Sequence, residues 1–145
     1  MWLSDDLFRT VVASTPLISI DLVVQNSQGE ILLGQSLNRP AQGVWFVPGG
    51  RILKNETMDE AFSRLTTDEL GKAFQRSAAR LLGAYEHFYT NSVFGDSGDS
   101  PDTHYVVLAY QLVLAEGEDL QPTNAQHDVY RWWTLTHAQA SEEVH

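Results

Sequence analysis

From Gly50 to Gly71 the chain reads Gly-Arg-Ile-Leu-Lys-Asn-Glu-Thr-Met-Asp-Glu-Ala-Phe-Ser-Arg-Leu-Thr-Thr-Asp-Glu-Leu-Gly, and no other stretch restricts the fold as much. Thr57 followed three residues later by Glu60 is a capping-box signature, which satisfies two N–H groups at a helix start reciprocally. Met58, Ala61, Phe62, Leu65 and Leu70 then recur at helical spacing, and Gly71 supplies the stop. The spacing predicts a helix over 58–70. Just upstream, Trp45-Phe46-Val47 reads as a short strand halted by Pro48-Gly49-Gly50. Glu69 lies four residues after Leu65 and five after Arg64, so the helix projects it beside the buried seam. A carboxylate in that place calls for a cation; the bland alternative is an ordinary exposed helical Glu.

The rest of the chain alternates strand and helix patterns. Ser4-Asp5-Asp6 before Leu7 opens a short capped helix that must end before Pro16, because the residue preceding a proline is pushed out of the helical region. Residues 18–25 and 30–34 are apolar, β-branched runs separated by Asn26-Ser27-Gln28-Gly29, a hairpin turn with glycine for positive φ. Strands are predicted over 81–89, 104–114 and 129–133, and a helix begins near 136 and runs to 143. The polar loop 91–102, rich in Gly, Ser and Asp, is expected to be mobile. Its Asp96-x-Gly98-Asp99 content lacks the spacing and terminal Glu of an EF-hand, so it reads as a solvated loop. Pattern alone supports an α+β or α/β domain.

A chain of 145 residues is expected to form one domain over 1–145, burying roughly two thirds of its unfolded surface. It has no cysteine, so a metal would sit on oxygen or imidazole, which favours Mg2+ or Mn2+ over structural zinc. The net charge of -10 argues against nucleic-acid and anionic-membrane partners, which are held by clustered Lys and Arg. A small diphosphate is a different case, since one divalent cation and a few local Arg residues offset its charge. The N-terminal residues lack the basic start and apolar run of a signal peptide, and a cytoplasmic location is the expectation.

Gly50, Glu56, Arg64, Glu69 and Gly71 fall in register with the Nudix box, but Leu65 stands where the box has Glu, and Asp68 replaces the first of its closing Glu pair. Three further segments extend the likeness: Ser-Thr-Pro-Leu-Ile-Ser-Ile-Asp at 14–21, Asn-Arg-Pro-Ala-Gln-Gly-Val-Trp-Phe-Val-Pro-Gly-Gly-Arg at 38–51, and Gln-His-Asp-Val-Tyr-Arg-Trp at 126–132. With them the chain resembles the GDP-mannose mannosyl hydrolase branch of the Nudix superfamily over nearly its whole length. The resemblance implies a Nudix fold, an α/β/α sandwich around a central mixed β-sheet. It also implies a homodimer and cleavage of a glycosidic carbon–oxygen bond in a GDP-sugar.

On this resemblance Glu69, the backbone carbonyl of Gly49 and the side-chain amide oxygen of Gln126 hold one Mg2+, for which Mn2+ is the alternative. His127 is the general base, an imidazole that titrates near neutral pH and can take a proton from water. Arg51 and Tyr105 stabilise the leaving group, and Asp21 and His87 sit near the sugar or the diphosphate. Phe8 and Trp2 are candidate stacking partners for guanine. Each has a structural alternative: Arg51 could pair with an acid of the box, Tyr105 be a half-buried strand aromatic, and His87 a satisfied strand histidine. Glu56 and Arg64 are expected to hold loop and helix in register. Asp68, four residues after Arg64, is expected to pair with it, a second metal being the alternative.

Water attacking sugar C1 opposite GDP gives inversion. A diphosphate already leaves well, so the acid of an ordinary inverting glycosidase is unnecessary. Loss of the box Glu at Leu65 fits, because water beside phosphorus no longer needs activation. One departure counts against full activity: where the branch carries Lys-Arg, this chain has Gln35-Ser36, which removes a charged donor; Arg39, three residues on, is the candidate replacement. The competing readings are a conventional Nudix pyrophosphohydrolase attacking phosphorus and a catalytically weak nucleotide-sugar-binding protein.

Overall fold

The computed structural model describes residues 3–36, 45–89, 102–118, 120 and 127–141. Expectations at Trp2, Arg39 and Gln126, and for loop residues 91–101, lie outside the described residues. The α-helices and β-strands among them follow in the order α1 (Asp5–Ser14), β1 (Leu17–Gln25), β2 (Ile31–Ser36), β3 (Trp45–Phe46), β4 (Gly49–Arg51), α2 (Met58–Leu70), β5 (Arg80–Tyr89), β6 (Thr103–Val113), β7 (His127–Trp133) and α3 (Leu135–Ala140), with a 3-10 turn at Arg76–Ala78 before β5. Ser4 caps α1 by accepting the N–H of Leu7, and Asp5 and Asp6 sit where the helix dipole favours anions. The β1–β2 turn is tied by Asn26, whose Oδ1 accepts the N–H groups of Gln28 and Glu30 at 3.1 and 2.9 Å, and Gly29 takes φ +79°.

The strands form one mixed sheet in the order β3-β2-β1-β6-β5, with β4 paired to β1 and β7 to β2. β1 runs parallel to β6 from Leu17 opposite Tyr105 to Gln25 opposite Val113. β5 lies antiparallel on the far side of β6. β1 and β2 meet only at Gln25 opposite Ile31; beyond that point β4 replaces β2 as the neighbour of β1. The sheet therefore splits between β1 and β2, and the chain from β4 into α2 enters at the split.

Strand alternation sends apolar side chains to both faces. Ile20, Leu22 and Val24 of β1, Leu32 of β2 and Tyr110 and Leu112 of β6 pack against Ala61, Phe62, Leu65 and Leu70 of α2. On the opposite face Leu33, Trp45 and Trp133 form a second cluster that takes in Ala138 of α3. Helices thus cover both faces of the sheet.

Two expectations need correction. The Pro48-Gly49-Gly50 stop conceals β4, with Gly49, Gly50 and Arg51 opposite Asp21, Ile20 and Ser19. Glycine is required there by proximity. A Cβ on Gly49 would collide with the carbonyl oxygen of Ile20, and one on Gly50 would lie 2.7 Å from Leu65 Cδ2. Arg64 also does not pair with Asp68. Its Nε donates to Glu56 Oε2 at 2.7 Å, and its Nη2 donates to Glu56 Oε1 and to the carbonyl of Arg51. The bidentate pair outcompetes a helical i,i+4 contact because it is half-buried and geometrically matched. Glu56 also accepts the N–H of Leu53, so this carboxylate fastens the loop to α2 as expected.

Leu65 is buried in the main core, directly over Gly50. Restoring the box carboxylate with Leu65→Glu should place an unpaired charge there and lower unfolding free energy by roughly 3 kcal/mol or more. Urea denaturation would read this as a reduced midpoint; an unchanged midpoint would mean that the side chain is free to leave the core.

Candidate active site

Because opposed residues in a sheet share a face, Asp21, Arg51, Tyr105 and His87 fall on one side of it. Arg51 lies opposite Ser19, two residues from Asp21, while Tyr105 lies between Leu17 of β1 and His87 of β5. This is the face away from α2. The Arg51 guanidinium sits 4.7 Å from the centre of the Phe8 ring on α1, so Phe8 braces a cation in the cluster. Tyr89, one strand period beyond His87, stacks near-parallel to it at 6.4 Å and meets Tyr105 edge-on at 6.2 Å.

These groups share one electrostatic environment. Burial raises the Asp21 pKa from 3.8 to about 7, so at neutral pH this carboxyl is only partly ionised. Burial, then Tyr105 and Asp21, push the Tyr89 phenol to about 12. Burial also raises Tyr105, opposed by the neighbouring positive charge of Arg51. Burial lowers the Arg51 pKa, with Tyr105 opposing the shift. The cluster thus presents a guanidinium and neutral hydroxyl donors, which suit phosphate oxygens.

Glu69 occupies the other face, beneath α2, and is 3% exposed. Its Oε1 accepts the Gly49 N–H at 3.2 Å, and its Oε2 accepts the Tyr130 hydroxyl at 3.5 Å. Burial is the main reason its pKa rises to about 7, assisted by the charge of Asp68 and opposed by the Gly49 and Tyr130 hydrogen bonds. A carboxylate buried beside a glycine backbone, its pKa raised mainly by burial, suits a hard oxygen-seeking cation such as Mg2+ or Mn2+. Among the described residues no cluster of three or more His, Asp or Glu side chains could hold a metal by itself. Gly49 joins the two halves: its backbone lies opposite Asp21 and its N–H reaches Glu69.

The backbone of His127 begins β7 opposite Ser36, at an irregularity in the β2–β7 pairing. The structure therefore gathers Asp21, Arg51, Tyr105, His87 and Phe8 into one cluster and Gly49 with Glu69 into another. Tyr89 and Tyr130 were missed by sequence reasoning. The same-face spacing of Tyr89 from His87 was the available signal, and Tyr130 stands inside the segment at 126–132.

Residues 15–145 match the NUDIX domain family, and the chain belongs to it. As a class it is a Nudix hydrolase. It is 39% identical over 123 residues to the low-salt glycan biosynthesis protein Agl8 of Haloferax volcanii, covering 85% of this chain and 74% of that one. Among solved structures it superposes on the MutT protein of Methanosarcina mazei Go1 with TM-score 0.71 at 20% identity, covering 91% of this chain and 87% of that one. It also superposes on a bifunctional NMN adenylyltransferase/ADP ribose pyrophosphatase of Francisella tularensis, complexed with AMP and a Mn ion. There the TM-score is 0.56 at 18% identity, covering 92% of this chain and 38% of that one.

A raised carboxyl pKa means that the folded chain binds more protons than the unfolded chain between about pH 4 and 7. Stability must fall as pH rises through that window. Asp21→Asn removes one of the two groups responsible and should make the loss between pH 5 and 8 shallower, by on the order of 2 kcal/mol. Urea titrations across that range would test it; an unaltered slope would place the Asp21 carboxyl in water.

Proposed function

We propose that this chain, as one catalytic domain, hydrolyses GDP-mannose, and also GDP-glucose, to GDP and free sugar by water attack at sugar C1 with inversion. The observation that carries the reading is the packing of Leu65. Where the box has a carboxylate, this side chain lies in the core, which leaves Glu69, bonded to the Gly49 N–H, and the adjacent Asp68 as the acids at that end of α2. Water attacking phosphorus needs more acidic equipment than that, whereas attack at carbon with a diphosphate leaving group does not. The Agl8 relative, named for glycan biosynthesis, is in keeping with a nucleotide-sugar substrate.

In this reading the diphosphate lies across Arg51 and Tyr105, whose guanidinium and hydroxyl donate to oxygens that gain charge as the carbon–oxygen bond breaks. Asp21 and His87 orient the sugar, Phe8 holds Arg51 in place, and Arg39 replaces the donor missing at Ser36. His127 takes the proton from the attacking water. Glu69, the Gly49 carbonyl and Gln126 would hold Mg2+ or Mn2+, which when bound neutralises charge on the leaving diphosphate. Tyr130 positions Glu69. A second copy of the chain is the suggested partner, since edge strand β5 leaves Leu81, Tyr85 and Phe88 exposed.

The decisive measurement is hydrolysis of GDP-mannose with Mg2+ in H2(18)O, followed by mass spectrometry. Label is expected in mannose and absent from GDP. Label in GMP or mannose 1-phosphate would establish the pyrophosphohydrolase reading, and binding without turnover would leave a nucleotide-sugar-binding protein. Excess EDTA should abolish turnover, and Tyr130→Phe should raise the Mg2+ concentration for half-maximal rate by about 3- to 10-fold with little loss of stability. Activity at full rate in EDTA would remove the metal from the mechanism.

A further inference from the structure

Strand β5 is held in the sheet from one side. It is the outer strand, paired to β6, and none of its ten residues is buried. Its pairing is irregular between Leu81 and Gly83, and on the α2 side Leu81 is 51% and Phe88 69% exposed. Nothing among the described residues covers the strand there. Yet this strand carries His87 and Tyr89 into the Arg51 cluster on the opposite face. An edge strand without buried side chains opens locally at low cost, so the placing of those two rings depends on contacts made across the ladder to β6.

One such contact lies on the reverse of the site. Phe88 stands between His87 and Tyr89 in the chain, and strand alternation turns it to the α2 side, directly opposite His104. The two rings stack at 4.3 Å with 22° between planes. Contacts on the front are wider, 6.4 Å between His87 and Tyr89 and 6.2 Å between Tyr89 and Tyr105. His104 in turn directly precedes Tyr105, so each partner of the stack is one peptide bond from a residue of the cluster. The imidazole is fixed by stacking more than by polar contacts. Its Nε2 is sealed from water with no hydrogen-bond partner among the described residues, and Glu86 Oε2 stands 3.8 Å away. The Glu86 side chain is mostly exposed, and an exposed ion pair contributes little.

We propose that Phe88 and His104 are positioning residues for the hydrolytic site. Their stack clamps the end of β5 to β6 and thereby keeps His87 and Tyr89 against Tyr105. The inference rests on reading the Arg51 cluster as the place of hydrolysis, although neither ring faces that cluster. Aromatic pairs directly opposite across two strands are among the stronger cross-strand contacts, and losing one should make local opening about 5- to 10-fold more frequent.

Amide hydrogen exchange read by mass spectrometry, together with GDP-mannose turnover, tests this. Phe88→Ala should speed exchange about 5- to 10-fold at those amides of residues 86–89 that bond to β6, while β1 keeps its wild-type rate. It should lower kcat/KM by a similar factor. Phe88→Tyr and His104→Phe preserve two stacked rings and should restore both readouts, whereas Leu81→Ala, on the same face of the same strand, should alter neither. Unchanged exchange in Phe88→Ala overturns the proposal, because the ladder then holds the strand without the stack. Faster exchange with undiminished turnover also overturns it. An equal loss of turnover in Leu81→Ala would assign the effect to the exposed edge surface and overturn it too. Wild-type hydrolysis that Phe88→Ala leaves intact removes only this inference. If wild type hydrolyses no GDP-mannose, the reading of the cluster falls and takes the inference with it.

Discussion

The close approach of β4 to its neighbours on both sides is the constraint on which the rest of the site depends. Gly49 lies so near the Ile20 carbonyl that no Cβ fits between them, and Gly50 lies directly beneath Leu65. These contacts fix a three-residue strand to β1 and place the following loop under α2. The loop is then locked by Glu56, which Arg64 grips with two donors while also donating to the Arg51 carbonyl. One arginine thus ties the strand carrying Arg51 to the helix carrying Glu69. Without that tie the two halves of the site have no common frame.

From that frame follows a site with two unlike faces. Beneath α2, Glu69 is buried, hydrogen-bonded to Gly49 and Tyr130 and raised in pKa, a state that a divalent cation would reverse. Across β4, Asp21 is buried as well, but among phenols and a guanidinium. Two carboxyl groups with similar shifts therefore differ in what each can attract. Glu69 borders a glycine backbone, whereas Asp21 borders a guanidinium and phenol donors.

The sequence made local features legible to different degrees. The α2 helix runs over 58–70 as its capping box and Gly71 specify, because those signals act within a few residues. The Thr57 side chain accepts the Glu60 N–H, and Gly71 takes φ +77°. By contrast, Pro48-Gly49-Gly50 looks like a turn on any local criterion. That its glycines admit a neighbouring strand depends on Ile20 and Leu65, which are distant in sequence. The choice of Arg64 between Glu56 and Asp68 was likewise undecidable from spacing, since the helix permits one pair and the loop the other. The parallel match of β1 with β6 spans most of the chain, and nothing in either strand announces it. Of the proposed site residues, those on β1, β4, β5 and β6 could be placed together only once that register was known.

Charge makes the two faces interdependent. A diphosphate approaching a protein of net charge -10 meets an unfavourable field, and Arg51 is the guanidinium in the cluster that would receive it. A divalent ion near Gly49 would change this in two ways. It would add positive charge beside the diphosphate and favour ionisation of Glu69, releasing its proton. The energy that desolvation holds against the Glu69 carboxylate would then be offset only when the ion is present. On this argument the Glu69 charge would be tolerated chiefly with an ion present, and the Arg51 cluster, where the diphosphate is proposed to lie, would bind it most tightly in that same state.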